Sequence, residues 1–522
     1  MKNPEPGVRL LVATAALSLL ATMAVFAQSA DAQPSTQSIE ELRRRLVEME
    51  KEVQALRQSV TQLEEQQKRA TQQASQPSSS QTASTQATGT AGAQGSSRPQ
   101  RPITELAKLE AVNRDRETVA RIDNQPLDPK LIGFFPIPET RSRLKIDGYA
   151  KLDWIFDPRP DGNPDQFITT TIPVNLTPSQ RVVNSNVIFR ESRINLDFRT
   201  PLREGREFRF YAEVDFFGPD GPTDPRLRHL YGQTLNLLAG HTWTTFTDPD
   251  TIPDTLDFQS PAGIIKTRQA QFRYTQPIGR HHSLAFAVER PGVRGPDLTP
   301  DGSLIRSSVV AGILRRIRGT DDTPNDGPYN PAPDFVVRYR YERVRWHMQF
   351  GSLYRVLGFR SPLVEEKAFG WGLNFASGIM LRGRDNLLLN ATYGHGISRY
   401  IANLDDLDLD FDLDDSGAPI KALPVVGAYG AYQHYWTDQL RSTVTFGYDR
   451  VQNAAFQPVD AFNKSYYAAG NLIWRPLEHY NFTVGAEFLY GWQVLKDNSK
   501  GFGNRVQVSL QYNLYRKPTA NP

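Results

Sequence analysis

The sequence has 522 residues, a formal net charge of +3 and no cysteine. Balanced charge gives no general attraction to nucleic acid, and the missing thiols exclude disulfide frameworks, thiolate metal centres and cysteine nucleophiles. Mean hydropathy is −0.49, and past the first residues no stretch approaches the roughly 18–20 apolar residues that a spanning helix requires.

In chain order, residues 1–32 read as a secretory signal. Lys2 and Arg9 precede the apolar run from Leu10 to Phe26, and Val25-Phe26-Ala27 and Ala30-Asp31-Ala32 offer small-residue cleavage sites. In 33–66, Ile39, Leu42, Leu46, Met49, Val53, Leu56, Val60 and Leu63 recur at alternating steps of three and four. That a/d seam predicts an α-helical coiled-coil oligomerisation arm on the periplasmic side. Val at a with Leu at d leans towards a dimer. Residues 67–142 form a low-complexity tether with a short helix predicted at Ile103–Ile122, whose role is open among plug, periplasmic contact and linker.

From 143 to 515 the period falls to two. Leu144, Ile146, Ala150, Leu152, Trp154 and Phe156 form one face against Lys145, Asp147, Lys151 and Asp153. The pattern recurs at Phe208–Phe216, Tyr480–Trp492 and Val506–Leu514. A soluble sandwich also alternates, so three further features decide. Trp154, Trp243, Trp346, Trp371, Trp474 and Trp492 lie near strand ends, as interfacial girdles do. Many strands are longer than the five or six residues usual in globular proteins. Tight turns at 200–205, 237–239, 277–281, 342–344, 382–384, 436–439 and 475–478 alternate with long polar loops. The expected fold class is an all-β transmembrane barrel of about sixteen antiparallel strands, with the N-terminal coiled coil, a barrel domain over 143–515 and a tail over 516–522. Counting Leu304–Ile317 as a strand would make the total odd, so it is placed in the fourth outer loop.

Several motifs resemble the DcaP-like family of trimeric outer-membrane porins: Gly148-Tyr-Ala-Lys-Leu-Asp153, Arg190-Glu-Ser-Arg193, Arg199-Thr-Pro201, Glu213-Val-Asp215, Leu227-Arg-His-Leu-Tyr-Gly232, and above all Gly240-His-Thr-Trp-Thr-Thr-Phe246 with Asp248-Pro-Asp250 and Pro253-Asp-Thr-Leu-Asp-Phe258. His241 stands where Gln is more usual in that family, and the residues after Tyr515 depart from an aromatic barrel ending. The resemblance implies a homotrimer with one pore per subunit, in outer-membrane lipid and lipopolysaccharide, passing small anionic solutes including dicarboxylates.

Faces opposite the apolar rows define the lumen. Arg193, Arg199, Arg209, Arg338, Arg340, Arg345 and Arg355 are the candidate selectivity residues, with Arg338, Arg340 and Arg345 clustered across one hairpin. Charged rings set the ion a pore favours, and Arg forks suit carboxylates. Alternatively these arginines pair with lumen acids and stiffen the wall. The third outer loop, 247–264, is the candidate constriction, with Asp248, Asp250, Asp254 and Asp257 either facing the basic wall or capping turns beside Pro249 and Pro253. The acidic run Asp405–Asp415 reads as a solvated rim, because Leu413 and Pro419 break a calcium-loop pattern. No cofactor, resident metal or catalytic motif is expected: HExxH, GxSxG and P-loop spacings are all missing. The competing functions are an adhesin or envelope-tethering barrel without channel activity, and a lipid-modifying barrel enzyme.

Overall fold

The computed structural model describes residues 133–514, except 178–179, 203–205, 220, 296, 299–303, 306–326, 362–364, 414–418 and 478–480. The predicted signal, coiled-coil seam, tether helix and C-terminal tail lie outside the described residues. Among the described residues every helix is a three-residue 3-10 turn. Over the described residues the expected fold class is therefore corrected to all-β, with no helical coiled coil among them.

Sixteen antiparallel strands close into a barrel. They are β1 (Arg143–Arg159), β2 (Arg193–Pro201), β3 (Glu207–Asp215), β4 (Arg226–Thr234), β5 (Leu237–Trp243), β6 (Arg268–Ile278), β7 (His282–Glu289) and β8 (Asp334–Glu342). The second half comprises β9 (Trp346–Arg360), β10 (Glu365–Met380), β11 (Asn386–His395), β12 (Pro424–Tyr435), β13 (Leu440–Val451), β14 (Phe462–Leu477), β15 (Phe482–Leu495) and β16 (Lys500–Asn513). Each pairs with its neighbour in sequence, and β16 returns to β1 through Tyr149–Asn513 to Phe156–Val506, leaving no open edge. Asn184–Ile188 continues the wall beside the upper half of β1.

The polarity of this barrel is inverted relative to a soluble one. Leu152, Phe272, Phe350, Leu373, Phe446 and Phe488 stand exposed outside, while Lys151, Arg273, Gln349, Asn374, Thr445 and Glu487 are buried on the inner face. Phe446 is 64% and Phe369 61% exposed, far beyond the scattered surface apolar residues of a water-soluble monomer. Hydrocarbon around the wall removes that penalty, and the closed ladder satisfies every strand's amides without water. Trp154, Trp346 and Trp474 are exposed outside. Trp243 is the exception: it is buried inside the wall against Tyr211, Tyr231 and Leu238 rather than in a girdle.

Turns of two to five residues at one end alternate with loops at the other, six of ten residues or more and two of four residues. The loops are L1 (160–192), L2 (216–225), L3 (244–267), L4 (290–333), L5 (361–364), L6 (396–423), L7 (452–461) and L8 (496–499). Leu237–Ala239, expected as a turn, opens β5 instead; the turn lies just before it, where Leu235 takes a left-handed φ of 53°. Leu304–Ile305 pairs with Asp297–Leu298 inside L4, apart from the barrel sheet.

Inward glycines make room for loops that enter the lumen. A Cβ on Gly447 would meet the Ala262 carbonyl oxygen at 2.6 Å, and one on Gly427 the Gly263 oxygen at 2.9 Å. Phe246, Ile265, Ile397, Tyr400, Ile401 and Leu404 from L3 and L6 pack together against Val336, Leu353, Val425 and Val451 of the wall. Overfilling such a contact costs about 1–3 kcal/mol. Gly447→Val is therefore expected to lower the thermal unfolding midpoint, read by β circular dichroism. Gly470→Val, whose Cβ meets nothing within 4 Å, should leave it unchanged.

Candidate functional site

L3 crosses the lumen because its ends and its tip are all tied to the inner wall. At its start the Thr244 hydroxyl and the Thr245 amide donate to Glu289 at 2.6 and 2.7 Å. At its tip the amides of Leu256 and Asp257 donate to Glu487 of β15, both at 2.8 Å. Lys151 of β1 donates to the Leu256 carbonyl at 2.7 Å. On its return, Gly263 takes a φ of 80°, which a Cβ would strain, and Ile265 bridges Ile401 of L6.

The four candidate aspartates of L3 all find partners. Asp248 accepts from Arg340 Nη1 at 2.8 Å and pairs with His347 Nε2 at 2.9 Å, while Asp250 accepts from Arg340 Nη2 at 2.6 Å. Asp248 also caps the Pro249–Thr251 turn by accepting from the Asp250 amide, so the two readings of this residue hold together. Burial opposes ionisation of Asp248, but Arg340 and then His347 outweigh it and hold the carboxyl well below the usual carboxylate range. Asp254 accepts from Arg441 Nε at 2.5 Å. Asp257 accepts from the Phe167 and Gln259 amides and lies 3.9 Å from Arg505. The ligand atoms of Asp248, Asp250 and His347 lie within 4.8 Å of one another, but Arg340 already supplies the cation there.

The candidate arginines divide. Arg199 and Arg209 share Asp197 at 2.8 and 2.9 Å, and Arg193 lies 3.9 Å from both Glu191 and Glu213. Arg338 is buried on β8 two residues from Arg340. Arg355 sits at the outer end, pairing with Asp334 at 3.2 Å and Asp410 at 3.0 Å. Arg345 leaves the proposed cluster: it lies in the β8–β9 turn and donates to the Leu381 carbonyl. The acidic run is a rim only in part: Asp406 is exposed, whereas Asp408, Asp410 and Asp412 are buried. Asp410 is fully buried and accepts from Ser398 Oγ and the Arg294 amide as well as from Arg355, whose guanidinium requires a counter-ion inside the wall.

A second basic group escaped the sequence reading. The register shift between Glu213 and Val214 turns both Arg228 and His229 inward, so strict alternation misplaces one of them. Arg228 reaches Glu213 at 2.6 Å and Asp215 at 2.8 Å, and Arg226 reaches Asp215 at 2.7 Å. Lys266 lies at the end of L3 and Arg268 opens β6, where no periodicity marks them.

One guanidinium, Arg505, faces Asp157 at 2.7 Å, Asp161 at 2.7 Å and Asp257 at 3.9 Å. Burial, only partly offset by Arg505 and reinforced by Asp157, pushes the Asp161 carboxyl in L1 up to about 7. A carboxyl raised above its unfolded value of 3.8 contributes stability that is complete below about pH 4 and lost as pH rises through about 7. Asp161→Asn is expected to remove that loss, so its unfolding midpoint should fall less between pH 5 and 8 than that of the native chain.

No family model matches the sequence, and neither does any curated protein. Among solved structures, the chain is similar to the outer membrane channel DcaP of Acinetobacter baumannii, with 19% identity, a TM-score of 0.59, and coverage of 73% of this chain and 99% of that one. Lesser likenesses include an anion-selective porin from Comamonas acidovorans (9% identity, TM-score 0.45, 72% and 100% covered). Another is OmpF of Salmonella typhi (9%, 0.43, 73% and 100%). The likeness is one of fold: this chain forms a closed antiparallel barrel like that of the DcaP channel.

Proposed function

We propose that this protein is an outer-membrane porin, a passive diffusion channel for small hydrophilic solutes with a preference for anions such as dicarboxylates. The observation that carries the reading is L3 folded across the inside of a closed barrel and tied to the wall at Arg340, Arg441 and Glu487. A loop held there narrows a pore without sealing it by strand pairing. The outer face supports residence in lipid, and the resemblance in sequence motifs supports a trimer.

Support for anions comes from the inner arc β2–β8. It carries Arg193, Arg199, Arg209, Arg273, Arg338 and Arg340 with Asp197, Glu213, Asp215, Glu289 and Asp334 among them, whereas the inner face of β9–β14 is mostly amide and hydroxyl (Gln349, Asn374, Asn390, Gln433, Thr443 and Asn471), with Arg355, Arg441 and Asp449 as its charges. Asp248 and Asp250 pair with Arg340 rather than standing off across the pore, so a field across the lumen would come from the arginines of this arc facing the more amide-rich wall. One observation favours the competing reading of a silent anchor, namely the apolar contact of L3 with L6 inside the lumen.

Purified protein in planar bilayers separates the two. Unitary current steps with a reversal potential on the anion side of a KCl gradient are expected, and Arg338→Gln should lower the anion-to-cation permeability ratio about twofold. A silent bilayer favours the anchor, and cation preference rejects the anion assignment.

A further inference from the structure

Where L3 rejoins the wall, cations outnumber the carboxylates available to them. Arg226 and Arg228 are taken up by Glu213 and Asp215. Lys266 donates to the carbonyls of Phe258 and Gln259 and stands 4.2 Å above the Phe258 ring, so its ammonium holds the loop rather than an acid. Burial first, then Arg268 and Arg228, push the pKa of that ammonium well down.

Arg268 opens β6 directly opposite Trp243 in register. Its guanidinium lies 4.5 Å over the Trp243 ring. Among the described residues it has no ion pair, and its buried Nη1 has no hydrogen-bond partner. A buried guanidinium donor left open is uncommon, because each such N–H forfeits its hydration. The indole fixes the plane of the fork and shields one face, so an acceptor can meet it only at its edge, where the partnerless Nη1 is closed to bulk water. Arg and an aromatic wall together suit a planar carboxylate, whose two oxygens match the fork while its apolar part meets the ring.

We infer that Arg268, oriented by Trp243 and flanked by Lys266, is the binding point for the carboxylate of a small planar organic acid at the L3 constriction. The inference rests on the channel reading and names the solute class for it. It differs from the candidate cluster at Arg338 and Arg340, where Arg340 already holds L3 through Asp248 and Asp250.

The test uses the full chain in detergent, with benzoate as probe and benzamide as its uncharged counterpart, and reads binding by NMR line broadening. The native protein should bind benzoate and not benzamide. Arg268→Gln should weaken benzoate binding about tenfold, Arg268→Lys should retain part of it, and Arg382→Gln in the β10–β11 turn should leave it unchanged. Folding of each variant is checked by heat-modifiable mobility. Equal binding of benzoate and benzamide, no benzoate binding to the native chain, or native-like binding in folded Arg268→Gln overturns the site. Benzoate binding that survives in a protein giving silent bilayers would keep the site and sink the channel reading.

Discussion

The arrangement of this molecule depends on a difference in solvent across one sheet. Outside, phenylalanines, leucines and tryptophans stand exposed; inside, arginines, carboxylates and amides are buried. Hydrocarbon on one side and water with polar loops on the other is the condition under which both faces are satisfied. Closure of β16 onto β1 follows from the same constraint, since an open edge in hydrocarbon would strand a row of amides and carbonyls.

Inside the wall, buried charge is tolerable because it is shared. Asp197 serves Arg199 and Arg209, Arg340 serves Asp248 and Asp250, and Arg505 faces three carboxylates. Removing one member of such a group leaves a buried charge unpaired and costs about 3–5 kcal/mol. These networks also fix L3 and L6 in the lumen, with inward glycines leaving them space. Selectivity and rigidity are thus not alternatives here. Arg340 and Arg441 hold the constriction in place, other wall arginines pair with acids of the wall, and Arg268 is stacked on Trp243 with no ion pair among the described residues.

Much of the barrel was legible because a strand's facing is local information. Lys151 and Asp153 against Leu152 and Trp154 reveal two faces without knowledge of any neighbour. The alternation of tight turns and long loops gave the even strand count. Partners were not legible, because closure sets them: Arg505 meets Asp157 across the seam between the first and last strands. The bulge at Val214 hid Arg228 from a period-two reading. Arg345 looked like a member of a cluster by spacing, yet it lies in the β8–β9 turn, where its guanidinium donates to the Leu381 carbonyl. Asp410 looked solvated because its run is acidic, but its buried place follows from Arg355 on a strand far away in sequence. The heptad seam of residues 33–66 was the clearest helical signal, and it falls outside the residues from which the all-β fold class is drawn.

The absence of native cysteine makes the two-solvent claim directly measurable. Nitroxides attached to single cysteines at Val444, Thr445, Phe446 and Tyr448 of β13, in liposomes, report collisions with oxygen and with a water-soluble nickel chelate. Oxygen should dominate at Val444, Phe446 and Tyr448 and drop sharply at Thr445. Ready access of the nickel chelate to all three outward positions would contradict a wall that faces hydrocarbon.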